Sequence, residues 1–362
     1  MRIVVHVGMH KTGSTAIQQH FGKLLHRGFE YATYEERNHS MMVALLFSSP
    51  DRLADFYVFR QKGPAYVAAL PDLRGKWQSR LDAQLDRLRG TDATVLISAE
   101  GLSTAGPAAN ERRENLARYL DRLGADIEVV GYVRSPLSFI RSDIQQRLKD
   151  LSRPIQGLEV VWPHYRKRFE PLDQSFGRDR VRLKVFRPDR LHGGDVVSDL
   201  GRLLGIDVPP GSARRVNETL SLEATAFLYA QRRWGGGEAF GSPEALKGSH
   251  RFVKALSGLK GRRMTVAEPL WRDALARNAE DLAWMEARLG EPLREQEEGD
   301  ARIAIGSEDD LMAVAIDSLP QLEGVLRDTI STRRFEELAL SDLTPQHRML
   351  RALQALRQAT AA

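Results

Sequence analysis

Residues 3–15 read Ile3-Val4-Val5-His6-Val7-Gly8-Met9-His10-Lys11-Thr12-Gly13-Ser14-Thr15. The first five make a nearly continuous β-branched run, the pattern of a strand buried on both faces. Gly8 and Gly13 bracket the turn that follows. Ser14 and Thr15 can cap a helix, and Ile17, Phe21, Leu24 and Leu25 then recur at helical spacing on one face. A glycine-bounded loop between strand and helix turns backbone N–H groups toward one point, and the helix N-terminus adds partial positive charge. Lys11 supplies a full charge, and Ser14 and Thr15 supply hydroxyl donors. The stretch therefore predicts an anion cradle, most naturally for phosphate. It is not a Walker A loop, which carries lysine directly after the second glycine, where this chain has Ser14.

Strands and helices alternate outward from this stretch. A short strand is expected around Tyr31 to Tyr34, and Asn38 to Arg89 reads as mostly helical, with Leu81, Leu85 and Leu88 in an apolar stripe. Thr94–Ser98 is a short apolar strand ending at Ala99-Glu100-Gly101, and Glu111–Leu123 is a helix. Ile127–Val133 is a second buried strand, ending at Arg134-Ser135-Pro136, with Leu137–Leu148 helical behind it. Val181–Phe186 is a further strand, and Val196–Leu204 is a helix closed by Gly205. This alternation predicts an α/β fold with a central parallel sheet flanked by helices on both faces. After Asp207 no strong strand is expected. Leu220–Trp234, Pro269–Leu289, Asp309–Asp317 and Pro345–Ala359 read as helices, and Gly235 to Ser249 as a flexible loop. The expected organisation is one domain over residues 1–300 and a helical C-terminal extension over 301–362. The last helix carries Met349, Leu350, Leu353 and Leu356 on one face, which suits docking on the domain, pairing in a dimer or peripheral contact with an anionic membrane surface.

Composition narrows the classes. Of 362 residues, 42% are hydrophobic and 28% charged, which excludes a disordered, collagenous or fibrous chain. No apolar run is long enough for a transmembrane helix, and the start lacks the pattern of a signal peptide, so a cytoplasmic location is expected. There is no cysteine, which excludes disulfides, thiolate zinc sites and cysteine nucleophiles. Lys and Arg exceed Asp and Glu by 53 to 48, a mild excess that fits a handler of anions rather than a nucleic-acid binder.

A second motif follows the strand at Ile127–Val133. Arg134 stands at the carboxyl end of that strand, where open α/β sheets bind ligands, and Ser142 and Gln145 lie further along the next helix. An arginine fork with a hydroxyl suits a second phosphate.

Taken together, the two motifs resemble those of a known superfamily. HVGMHKTGSTAIQ looks like the 5′-phosphosulfate loop of sulfotransferases, and YVRSPLSFIRSDIQQ looks like their 3′-phosphate motif. The chain resembles the P-loop-related sulfotransferase superfamily, particularly its bacterial and carbohydrate-acting members. More loosely, LKVFRPDRLHGGDVVSDLGRLLGI and RRVNETLSLEATAFL are similar to later segments of that family, which extends the likeness over roughly residues 1–290. The resemblance implies the P-loop-like sulfotransferase fold and 3′-phosphoadenosine 5′-phosphosulfate (PAPS) as donor, with 3′-phosphoadenosine 5′-phosphate as product. It implies that Lys11, Thr12, Gly13, Ser14 and Thr15 hold the 5′-phosphosulfate and that Arg134 and Ser142 hold the 3′-phosphate. The acceptor it implies is a hydroxyl of a carbohydrate or glycolipid, with no metal required.

Transfer to a hydroxyl needs a base. Glu100, at the end of TVLISAE, occupies a position like the catalytic histidine of cytosolic sulfotransferases. His39, in Asn38-His39-Ser40, resembles the glutamate position of glycosaminoglycan sulfotransferases. Both stay open as the base, with Glu100 favoured for its strand-end place. Asn217 with Arg214 and Arg215 can approach the nucleotide or cap a helix. Trp162, His164, Tyr165, Arg166 and Arg168 can stack on a sugar or simply pack. A nucleotide-dependent kinase and a non-catalytic nucleotide or polyanion binder are the competing readings. The displaced lysine and the second phosphate motif argue against the kinase.

Overall fold

Ile3, Val4 and Val5 are fully buried, because they form the middle strand of a sheet covered on both sides. The computed structural model describes all residues except 54, 55, 151–154, 210, 212–218, 236–242, 294, 296–301 and 362. Its longer elements run β1 (Arg2–His6), α1 (Ser14–Phe21), β2 (Phe29–Tyr31), α2 (Ser40–Phe47), α3 (Leu70–Leu88), β3 (Thr94–Ser98), α4 (Pro107–Asp121), β4 (Asp126–Val133), α5 (Pro136–Lys149), α6 (Tyr165–Phe176), β5 (Val181–Val185) and α7 (Val196–Leu204). There follow α8 (Leu222–Trp234), α9 (Pro243–Ser257), β6 (Arg263–Val266), α10 (Glu268–Arg277), α11 (Ala279–Leu289), β7 (Arg302–Ile305), α12 (Glu308–Asp317), α13 (Leu319–Thr329) and α14 (Pro345–Ala361).

The chain groups into two compact units. The first comprises Met1–Ser135, His164–Val216 and Glu280–Arg294; the second comprises Pro136–Pro163, Asn217–Ala279 and Glu295–Ala362.

The first unit is an α/β layer structure. Its five strands are all parallel, in the order β2-β3-β1-β4-β5. Side chains alternate across a strand. Val4, Leu96, Val130 and Tyr132 point to one face and meet Ile17 and Phe21 of α1 and Val197 and Leu200 of α7. The other face meets α6: a Cβ added at Gly131 would lie 3.2 Å from Val7 and 3.5 Å from Phe169. Both faces are thus covered, which explains the unbroken apolar strands.

A buried ionic node ties α7 to the sheet. Asp199, 3% exposed, accepts from Lys184 Nζ of β5 at 2.5 Å and from the Tyr132 hydroxyl of β4 at 3.0 Å. It also accepts the His192 amide at 3.0 Å. Burial beside that carboxylate pushes the Tyr132 pKa well up.

The second unit packs helices around one core. Ile140, Ile144 and Leu148 of α5 meet Phe227 of α8, Phe252 of α9, Leu311 of α12, Leu322 of α13 and Met349, Leu353 and Leu356 of α14. The last helix therefore turns its apolar face into its own unit. Among the described residues, no helix is long and apolar enough to cross a membrane.

Several details differ from the sequence reading. Helix α1 stops at Phe21, and Leu25 is 97% exposed, because the chain has to turn back at Gly28 to begin β2. Residues 243–249, expected as loop, belong to α9. The span Pro269–Leu289 is two helices, with Asn278 leaving helical geometry between them. β6 and β7 were not expected after Asp207; they pair in parallel, Met264 with Ile303 and Val266 with Ile305. Each spans only four residues, and β6 alternates buried and more exposed positions, a weaker signal than a continuous apolar run.

The Asp199 node generates a stability prediction. Asp199→Ala leaves the buried Tyr132 hydroxyl and the His192 amide without their acceptor, whereas Lys184 is partly exposed and can be solvated. The expected loss is about 3 kcal/mol, read as a lower urea midpoint at unchanged m-value.

Candidate functional site

Three neighbouring strands end at the same edge of the sheet. Parallel pairing sets Val5 beside Ile97 on one side and Val129 on the other. The loop after β1, the turn after β3 and Arg134 after β4 all leave from the carboxyl ends of these strands. In open α/β sheets that edge is where ligands bind.

The first loop is held in an unusual backbone path. Gly8, Lys11 and Gly13 all have positive φ, at 45°, 68° and 80°. A Cβ on Gly8 would lie 2.5 Å from Ser14 Oγ, and one on Gly13 would lie 2.6 Å from Val196. Neither glycine can carry a side chain without displacing its neighbours. Thr12 shapes the loop from inside: it is fully buried, and both its amide and its hydroxyl donate to the Met9 carbonyl, at 3.1 and 2.6 Å.

The turn delivers α1 with an open N-terminus. Gly13 is its N-cap residue, no side chain caps it, and its first turn holds no acidic group. Ser14 and Thr15 thus do not cap the helix as expected; they begin it. Ser14 is 3% exposed, and its hydroxyl has no hydrogen-bond partner among the described residues. A buried, unsatisfied donor beside free helix amides is the geometry an anion satisfies.

Lys11 lies among charges from the two flanking strands. Burial lowers its pKa, the Glu100 carboxylate opposes that shift, and the Arg134 guanidinium adds to it. Arg134 also stacks over the Phe186 ring at 5.0 Å, and its carbonyl accepts from the Tyr165 hydroxyl at 2.7 Å. The structure therefore brings Lys11, Glu100 and Arg134 together. Ser142 lies on α5, which groups with the second unit, while Arg134 groups with the first.

Glu100 opens a short helical turn, Glu100–Ser103. Its Oε1 accepts from Asn38 Nδ2 at 3.2 Å, and its carbonyl accepts from Ser103 Oγ at 3.0 Å. Arg113 anchors the same turn from below. It is fully buried and donates to the carbonyls of Leu102 and Thr104, and burial lowers its pKa to about 10.

His39, the other candidate base, is fully buried. Its Nδ1 accepts the Ser98 amide at 3.0 Å, and its ring packs on Tyr31 with centroids 4.4 Å apart. Burial pushes its pKa down to about 3, against a smaller opposing effect of the Ala32 backbone. His6 is likewise buried and also lowered to about 3, with Nδ1 2.9 Å from Ser98 Oγ.

The remaining candidates have plainer surroundings. Trp162 and Tyr165 are buried, and Arg166 pairs with Glu170 at 2.9 Å. Arg214, Arg215 and Asn217 lie outside the described residues. Sequence reasoning passed over Asn38, Ser40 and Arg113. An Asn and a Ser at the start of a helix are a local signal of polar contacts, but which distant turn they meet is not written locally.

Fold and site define an α/β protein with a basic glycine loop at the carboxyl edge of its parallel sheet. No family model matches the chain, and no curated protein matches it.

The two buried histidines set an acid limit on stability. Folded, both stay neutral down to a pH of about 3; unfolded, each titrates near 6.5. Between those values the unfolded state binds more protons, so stability is full above about 6.5 and is lost as pH falls. Urea unfolding at pH 7, 6 and 5 should show this decline, and His39→Gln should remove about one proton from its slope. A pH-independent midpoint contradicts the neutral assignment.

Proposed function

We propose that this chain is a PAPS-dependent sulfotransferase with the P-loop-related fold, acting on a hydroxyl of a carbohydrate or glycolipid in the cytoplasm. The observation that carries the reading is the convergence of Lys11, Glu100 and Arg134 from three adjacent strand ends. The likeness of the two motifs to the phosphosulfate and 3′-phosphate motifs supports it.

PAPS supplies the sulfuryl group and a 5′-phosphate leaving group. In this reading the amides at the start of α1 and the Ser14 hydroxyl hold the 5′-phosphosulfate, and Thr12 keeps the loop in shape; the uncapped helix start and the unsatisfied hydroxyl support it. Arg134 holds the 3′-phosphate. Lys11 meets the negative charge that grows on the bridging oxygen as its bond to sulfur breaks. A fixed charge of this kind, in place before the reaction, is usually the largest catalytic effect. As the acceptor oxygen forms its bond to sulfur, Glu100 takes its proton. His39 is an inferior base here, because its Nδ1 lone pair is engaged by the Ser98 amide and its environment disfavours the charged ring.

Donor identity is tested by thermal shift. 3′-Phosphoadenosine 5′-phosphate should raise Tm by mass action well above the effect of ATP, which lacks the 3′-phosphate. Equal stabilisation by the two removes the sulfotransferase reading and favours a general nucleotide site.

The chemical roles are tested by two substitutions. Lys11→Ala should lower kcat by two or more orders of magnitude, about 3 kcal/mol, with a smaller loss of bisphosphate affinity. Glu100→Gln should lower kcat roughly 10²–10⁴-fold while bisphosphate binding stays intact. Near-normal turnover in either folded variant takes that residue out of the mechanism.

A further inference from the structure

Three consecutive residues, Asn38, His39 and Ser40, each grip a different point of the turn that carries Glu100. The His39 amide donates to the Ser98 carbonyl at 2.9 Å, and His39 Nδ1 accepts the Ser98 amide at 3.0 Å. Both peptide groups flanking the last residue of β3 are thereby tied to one histidine. Ser40 Oγ accepts the Gly101 amide at 3.0 Å. That approach is close: a Cβ on Gly101 would lie 3.1 Å from Ser40 Cβ. Between these two anchors, Asn38 Nδ2 reaches the Glu100 carboxylate at 3.2 Å.

The orientation of the Asn38 amide is set by its other half. Its Oδ1 accepts the Ser40 amide at the start of α2, at 3.0 Å. With the oxygen committed there, the NH₂ group has to face Glu100, so the usual ambiguity of an asparagine flip does not arise. The groups facing Glu100 are then Asn38 from the start of α2 and Lys11 from the loop after β1, with Arg134 acting on Lys11 from β4. The turn itself is held by Arg113 and Arg168, which donate to the carbonyls of Leu102, Thr104 and Ser103.

We propose that Asn38 is a positioning residue: its side-chain amide aims the Glu100 carboxylate at the acceptor's proton, with His39 and Ser40 clamping the turn on either side. This rests on the reading of Glu100 as the base. An amide N–H can only donate to the carboxylate, so the contact fixes the direction in which Glu100 Oε1 points. The clamp also accounts for a buried histidine with no protonic role, since a neutral ring is what can accept the Ser98 amide.

Asn38→Asp is the sharp test. The substituted side chain keeps an oxygen for the Ser40 amide, so the bond at the start of α2 is retained. It replaces the donor with a second carboxylate oxygen beside Glu100, and like charges resist joint ionisation. The expected results are an acidic limb of the kcat profile displaced to higher pH and kcat at neutral pH lower by roughly tenfold to a hundredfold. Bisphosphate affinity should not change.

A second measurement does not depend on turnover. The side-chain carboxyl carbon of Glu100, assigned in the NMR spectrum by its loss in Glu100→Gln, should titrate at higher pH in Asn38→Asp than in the wild type. An unchanged Glu100 titration overturns the proposal, whatever the kinetics. If Glu100→Gln retains turnover while the titration moves, the base assignment fails but the contact stands. Should Asn38→Asp not fold, Ser40→Ala gives the second reading: hydrogen exchange of the Gly101 amide should speed up and kcat should fall with acceptor KM unchanged. Unaltered exchange and unaltered kcat overturn the clamp.

Discussion

The parallel pairing of β1 with β3 on one side and β4 on the other is the constraint from which the site follows. Its register places Ile3 beside Val95 and Ile127, and Val5 beside Ile97 and Val129. Because all three strands run the same way, each must hand its chain out at one edge. Lys11, Glu100 and Arg134 are far apart in sequence and become neighbours only through that pairing. Helices on both faces keep the strands dry, and the dry strands keep the register, since a shift by one residue would exchange the two buried faces.

At the edge, the backbone accepts strain in return for a concave loop. Lys11 in the left-handed region costs roughly 1 kcal/mol relative to ordinary geometry, and it persists because Gly8, Thr12 and Gly13 are each determined by their own contacts. Val196 closes on Gly13 from α7, and α7 is held to the sheet by the Asp199 node. A buried carboxylate on one face of the sheet is thus connected by packing to the shape of the loop at its end.

The turn after β3 shows a different economy. It is short, and bonds from outside it add to its own Ser103–Glu100 and Thr104–Gly101 bonds. Ser40 takes the Gly101 amide, Arg113 takes two carbonyls, and His39 takes both peptide groups at Ser98. His39 and Arg113 are fully buried, and the bonds they make converge on the backbone around a single carboxylate.

The sequence by itself determined the layer class and the first motif. Continuous apolar strands, their alternation with amphipathic helices, and glycines at Gly8 and Gly13 are local properties, and a strand buried on both faces leaves a local signature. It also placed Glu100 and Arg134 at strand ends, because a strand's end is marked by where the apolar run stops. Only the tertiary structure decided what these residues meet. That His39 is buried on the Ser98 peptide, that Asn38 points at Glu100, that Ser142 groups with a different unit from Arg134, and that four-residue strands pair at β6 and β7 all depend on long-range contacts. Burial and hydrogen bonding are set by what packs against a residue, and that information lies elsewhere in the chain. The same histidine could have stood exposed at the sheet edge; packing in the folded chain buried it on the Ser98 peptide.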